Sequence, residues 1–296
     1  MKGRVVYGKE RLEIGIFFLL LATLTQAAMS GVAKYVQASV STFQVILTAS
    51  VIGLLTLFPI ILINEGWRGF KTKRAGFHLI RDLAGACSFL LFFLTINHIS
   101  LVDAVLLNNT GPLFLPLIIW IWLKHGVPAK AWWGIAIGFI GVILILHPTT
   151  EGLNWWMIFG LLSGVLMAVA LTALRLLHRT ESTFLMLFYY FLVLSLIVLP
   201  LAIWQWIPPT PEIWLAMISV GLLFLLLQFM ATYAFRFGRA TVLAPLLYMV
   251  VIWTAIIDWI FWHQIPSLLS SLGTLVVIIG GVLAITLSGE KEQQRT

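Results

Sequence analysis

Long apolar stretches, divided by short connectors that carry the basic residues, limit what this chain can become. They lie near 14–33, 43–63, 78–97, 103–123, 131–146, 156–177, 184–206, 214–235, 240–262 and 268–287. As helices such stretches cross a hydrocarbon layer of about 30 Å. The fifth is the shortest and draws on Trp132 and His147 at its ends. A backbone in lipid must satisfy its own hydrogen bonds, which predicts helices throughout. Composition agrees, with 61% apolar and 10% charged residues, whereas a soluble domain has about 25% charged. The mean hydropathy is +1.04. The expected fold is an all-α polytopic membrane protein with ten transmembrane helices.

Ten spans put both termini on one side. With that side as the cytoplasm, seventeen of the eighteen Lys and Arg fall inside and only Lys34 falls outside. Such a bias sets orientation by the positive-inside rule. It predicts a multi-pass protein of a bacterial inner membrane with cytoplasmic termini. The first apolar run is too long for an ordinary signal peptide and reads as an uncleaved span. Twelve of the thirteen tryptophans fall near interfaces or in loops, where indole is favoured; Trp253 lies close to mid-helix. The net charge of +7 comes from scattered cations without a continuous basic stripe, so no nucleic-acid partner is expected. Cys87 is the only cysteine, which excludes an intrachain disulfide and reads as a small buried hydrophobe.

The chain also repeats itself. Residues 34–59 align with 175–200 at an offset of 141, matching Lys34 with Arg175, Ser41-Thr42-Phe43 with Ser182-Thr183-Phe184, and Pro59 with Pro200. At an offset of 139, Trp120 matches Trp259, Gly134 matches Gly273 and Gly141 matches Gly280. The halves, 1–150 and 151–296, hold five spans each, and an odd number threads the second half in the opposite sense. Inverted five-helix repeats around a midplane site are a transporter signature.

The stretch "LIRDLAGACSFLLFFLTINHISLVDAVLLNNTGPLF" resembles the third and fourth helices of the drug/metabolite transporter superfamily, EamA branch. There an Arg opens helix three, a short turn ends in Asp-Ala or Ala-Ala, and Pro-Leu-Phe lies within helix four. Arg81, Asp103-Ala104 and Pro112-Leu113-Phe114 fill those places. The family usually has Gly-Glu after helices four and nine; here Lys124-His125 and His263-Gln264 stand instead. The resemblance implies ten helices around a central cavity, and export or exchange of small metabolites.

Polar residues inside the spans are the candidate site. Asn108 and Asn109 precede Gly111 and Pro112. Proline withholds an N–H and crowds the carbonyl four residues earlier, at Asn108, leaving a polar patch near mid-membrane. The two carboxamides either line a wet cavity and bind substrate or join helices. Tyr248 corresponds to Asn109 and, with Trp253, could form an aromatic wall suited to a cation or heterocycle. Gln26 with Ser30, Gln44 with Thr48, and Gln228 with Tyr233 are further cavity candidates, balanced against interhelical bonding. Asp258 is a candidate for proton coupling or for pairing a cationic substrate, or else reaches water or His263. Asp103 is a second candidate for coupling or charge pairing, and is also expected to cap span four. Lys34 and Arg175 are mirror-image gate candidates, unless they snorkel to the interface. Gly134-x-x-x-Gly138 and Gly160-x-x-x-Gly164 read as close helix packing.

Metalloprotease, phosphate-loop and Gly-x-Ser-x-Gly motifs are absent from the sequence, and it shows no filter motif of a channel. No enzyme activity, cofactor or metal is expected. The expected function is secondary active transport of a small amphipathic metabolite: an amino acid, a derivative such as S-adenosylmethionine, or a drug-like compound. Proton coupling and exchange both remain open, and a metabolite or nucleotide-sugar exchanger is the alternative. A non-transporting receptor or an intramembrane enzyme is the alternative of another class.

Overall fold

A computed structural model of the chain describes residues 12–124, 128–146, 154–177, 180–237, 243, 246–264 and 267–293. The basic N-terminal tail, His125 and His147 lie outside the described residues, as do the side chains of Arg175 and Arg236. The described elements are α-helices and one 3-10 turn. They are α1 (Leu12–Gln37), α2 (Thr42–Glu65), the 3-10 turn (Gly66–Phe70), α3 (Ala75–Ile96), α4 (Leu101–Asn108) and α5 (Gly111–Leu123). Then come α6 (Ala129–Leu146), α7 (Trp155–Leu177), α8 (Thr183–Trp204), α9 (Pro211–Phe237), α10 (Met249–Trp262) and α11 (Leu268–Gln293). Eight spans are long and apolar enough to cross a membrane, with α4 and α5 together making one; α10 and α11 supply two shorter apolar helices. The chain is a ten-helix membrane protein.

The repeated text builds repeated local structure. Ser41 and Ser182 are both extended N-caps; their hydroxyls accept from the Gln44 and Leu185 N–H, each at 3.3 Å. Each cap satisfies one donor orphaned at a helix start. Pro59 and Pro200 both sit inside the helices that follow. Lys124 and His263 both end helices with φ of 53°, the left-handed conformation that glycine adopts without strain.

Helix pairing follows the same exchange of halves. α1 packs on α9 as α3 packs on α7, while α2 packs on α8 and α6 on α11. The α6–α11 crossing is a seam of small residues. A Cβ on Gly134 would meet the backbone of Ala284, one on Gly141 the backbone of Val277 and Gly273, and one on Gly280 the backbone of Gly138. Glycine there lets two backbones touch, the packing expected for Gly134 and Gly138.

The span expected as one helix over 103–123 is two. α4 ends at Asn108 and α5 begins at Gly111, with Pro112 in its first turn, where a missing N–H costs nothing. Between them Thr110 donates its N–H to the Leu107 carbonyl at 3.2 Å, and Leu113 donates to the Thr110 carbonyl at 2.8 Å. Gly164 of α7 lies against this break; a Cβ there would press on Thr110 Oγ1 and on the Leu107 carbonyl.

Candidate functional site

Two buried charged clusters lie at opposite ends of the bundle. The first joins α1, α4, α10 and α11. Lys34, in the last turn of α1, donates to Asp258 Oδ1 at 3.1 Å, and the carboxylate is 1% exposed. Asp258 Oδ2 accepts the backbone N–H groups of Leu101 at 3.0 Å and Val102 at 3.4 Å, the open start of α4. A carboxylate there also meets the positive end of the helix dipole. The Lys34 ammonium lies 4.8 Å from the Trp262 ring centroid and 3.4 Å from Gln264 Oε1. Each carboxylate oxygen is thus bonded, which a buried ion pair needs in order to offset desolvation.

Asp103 was expected to cap α4, but Ser100 holds that position. Its hydroxyl accepts the Asp103 N–H at 3.0 Å and donates to Asp103 Oδ2 at 2.6 Å. Asp103 Oδ1 accepts from the Ser270 hydroxyl of α11 at 2.8 Å. Serine is the better cap here because its short hydroxyl folds back while Asp103 reaches across to α11. His263 is exposed, and Asp258 pairs with Lys34 instead.

The second cluster lies in the first two turns of α3. Arg81 donates from Nη1 to Asp82 Oδ1 at 2.9 Å and to the Met186 carbonyl of α8 at 3.2 Å. Its guanidinium lies 4.4 Å from the Tyr190 ring centroid, a cation–π contact. His78 Nδ1 is 3.7 Å from Asp82 Oδ2, too far for a hydrogen bond. The His78 and Tyr189 rings are 5.0 Å apart, and the Tyr189 hydroxyl donates to the Phe70 carbonyl at 2.8 Å. His78, Arg81 and Asp82 are all buried, yet Asp82 Oδ2 and both His78 nitrogens have no hydrogen-bond partner among the described residues. Deeper along α3, Phe89 stacks on Phe224 of α9 at 4.1 Å, against Phe93.

The remaining predicted residues lie between these ends. Asn108 is buried and donates to the Ser163 hydroxyl of α7 at 3.0 Å and the Ser88 hydroxyl of α3 at 3.5 Å. Asn109 donates to the Val105 carbonyl of its own helix at 2.8 Å. Tyr248 is buried beside Gly281, and its hydroxyl, like Trp253 Nε1, has no hydrogen-bond partner among the described residues. Gln26 and Gln228 are half-buried on the tightly paired α1 and α9. Gln44 clamps the connector after α8, donating to the Ile207 carbonyl at 2.9 Å and accepting the Ile207 N–H at 2.8 Å. The side chain of Arg175 lies outside the described residues.

The EamA-like transporter family model matches twice along the chain, over residues 13–147 and 154–286. The chain belongs to the EamA-like transporter family. It is similar to the pseudopaline exporter of Pseudomonas aeruginosa, 27% identical over 273 residues covering 90% of this chain and 94% of the exporter. It is also similar to the S-adenosylmethionine uptake transporter of Rickettsia felis, 27% identical over 289 residues covering 95% of each chain. A solved crystal structure aligns with a TM-score of 0.65 at 15% identity, covering 96% of this chain and 100% of that one, which shows the shared fold.

In this EamA-like transporter, His78 and Asp82 are the residues that reading the sequence passed over. Arg81 reads as one more cation flanking a span, and its neighbour then reads as interfacial. The available signal was the spacing. His78 and Asp82 lie four apart, on one helical face, and the carboxylate sits inside a segment whose remaining residues are almost all apolar.

Proposed function

We propose that this protein is a secondary active transporter that moves a small amphipathic metabolite by alternating access between two inverted five-helix halves. The substrate class is an amino acid, an amino-acid derivative such as S-adenosylmethionine, or a drug-like compound. The names of the two relatives support small-metabolite cargo. The double family match and the exchange-symmetric helix pairing support the two halves. The bias of basic residues supports an inner-membrane protein with both termini in the cytoplasm, the Lys34 end facing outward.

One observation carries the mechanism. Asp258, on the second half, holds both Lys34 and the start of α4, on the first half. A single carboxylate therefore ties three helices across the boundary between halves, on the outer side. It is the outer gate: opening outward requires the second half to withdraw it from both partners together. The mirror position of Asp258, at an offset of 139, is Ile119, so Arg175 has no matching acid there. The inner side must close by other contacts, and the ion-paired state is the one closed to the outside. Asn108, bonded to α3 and α7, holds the broken span in register, while Tyr248, Trp253, Gln26 and Gln228 are the side chains left to meet cargo.

The test uses proteoliposomes and labelled S-adenosylmethionine, with a cysteine placed at Ser30, one turn below Lys34, in a Cys87→Ser background. Substrate-driven exchange is expected in the parent. Lys34→Gln or Asp258→Asn should raise labelling of that cysteine by an impermeant maleimide from outside about tenfold and slow exchange. Labelling that is fast in the parent and unchanged in both variants would remove the gate.

A further inference from the structure

We propose that His78 and Asp82 form a proton-binding site whose occupancy sets the grip of α3 on α8. The inference rests on the transporter reading for its role in the cycle, and on side-chain geometry for its existence.

A buried carboxylate is normally saturated with donors or else neutral. Asp82 is neither saturated nor far from a titratable partner. Arg81 holds one oxygen at 2.9 Å, while the other faces His78 Nδ1 at 3.7 Å without a bond. Both imidazole nitrogens are equally without a partner among the described residues. A small closure of that gap would allow one added proton to satisfy both groups. It would sit on Asp82 Oδ2 and be donated to a lone pair of His78 Nδ1. It comes from hydronium, whose O–H bond breaks to leave water.

The consequence for α8 passes through Arg81. Its Nη1 is divided between Asp82 and the Met186 carbonyl, and its face lies on Tyr190. Neutralising Asp82 weakens the first bond and frees the guanidinium to follow α8 or to leave it. Asp258 differs in this structure, where donors hold both of its oxygens.

The groups around the pair are few. Arg81 shares its helix, and Tyr189 and Tyr190 face it from α8. The only charged residue of α7 is Arg175, whose side chain is outside the described residues. The acids of the other helices packed on α3 are Glu13 of α1, Glu65 of α2 and Asp103 of α4, and none bonds to the pair. Glu181, in the connector before α8, is engaged by Thr72 and the Lys73 N–H.

The test is infrared difference spectroscopy of the purified protein in nanodiscs, titrated from about pH 5 to pH 9 with no substrate present. The parent should show a protonated carboxyl band that titrates in this window. Asp82→Asn should abolish it, His78→Gln should move its midpoint by about one pH unit or more, and Asp258→Asn should leave it in place. A band that survives Asp82→Asn, or that disappears only in Asp258→Asn, overturns the proposal. Should Asp82→Asn fail to fold, His78→Gln decides alone, and an unmoved midpoint overturns it. Because no cargo is needed, a negative result leaves the transport reading standing, and absence of transport leaves the titration readable.

Discussion

The two ends of this bundle bury charge in opposite ways. At the Lys34 end the carboxylate of Asp258 is held by an ammonium and two backbone N–H groups drawn from two other helices. At the other end Asp82 is held on one side only, by its own sequence neighbour, and faces an imidazole across a gap. A saturated carboxylate fixes helices to one another; a half-saturated one is free to change its protonation. The first arrangement suits a lock and the second a switch.

The largest effect is expected from removing the lock. Asp258→Ala strips Lys34 and the α4 start of their partner together, and should cost about 3–5 kcal/mol, the range for breaking a buried pair. Thermal unfolding followed by tryptophan emission measures it. Asp258→Asn keeps an acceptor for α4 and should lose less, by about 1 kcal/mol, the worth of a helix cap. Equal losses would mean that the cap contributes nothing and that the lock is the ion pair alone.

Next in size is the glycine seam, which serves both ends alike. Gly280→Ala would drive a methyl into the Gly138 backbone and should cost about 1–3 kcal/mol, as overpacking does. It should loosen the bundle without favouring either end, so selective exposure of a cysteine at Ser30 would show that the seam belongs to the Lys34 end.

A matched pair of smaller changes compares the two ends directly. Lys124→Gly and His263→Gly relieve left-handed backbone at mirror positions, one at each end, and each should stabilise by about 1 kcal/mol. A gain from one alone would mean that the other side chain makes contacts worth its strain. Smallest of all should be His78→Phe. Neither ring nitrogen makes a hydrogen bond among the described residues, so the loss should stay below about 1 kcal/mol. A loss as large as that of Asp258→Ala would make the His78 end a second lock and end the contrast.

Much of the fold was legible in the sequence. Ten apolar runs gave the spans, and the repeated serines became the repeated caps of α2 and α8. Gly134, Gly141, Gly273 and Gly280 matched at a fixed offset, and they meet at one crossing. Pro112 signalled disturbed backbone, although not that the span would part into two helices. The site was less legible, because its bonds join distant residues. Lys34 and Asp258 stand far apart in the chain, and the repeat pairs Lys34 with Arg175, never with an acid. Nothing local says that a carboxylate on α10 will cap α4. Asn108 shows the converse: a carboxamide in an apolar run fits a wet pocket as well as a hydrogen bond to Ser163, and only packing against α7 decides.

The reach of Asp258 to the start of α4 also bears on how the protein is made. When the ribosome has delivered α4, the residue that completes its first turn is still about 150 codons away. Until then the early half lacks the acid that engages these two amides and Lys34, and a duplicate of that half would not supply it, since Ile119 stands at the mirror position. Completion of this cluster therefore depends on the arrival of the second half.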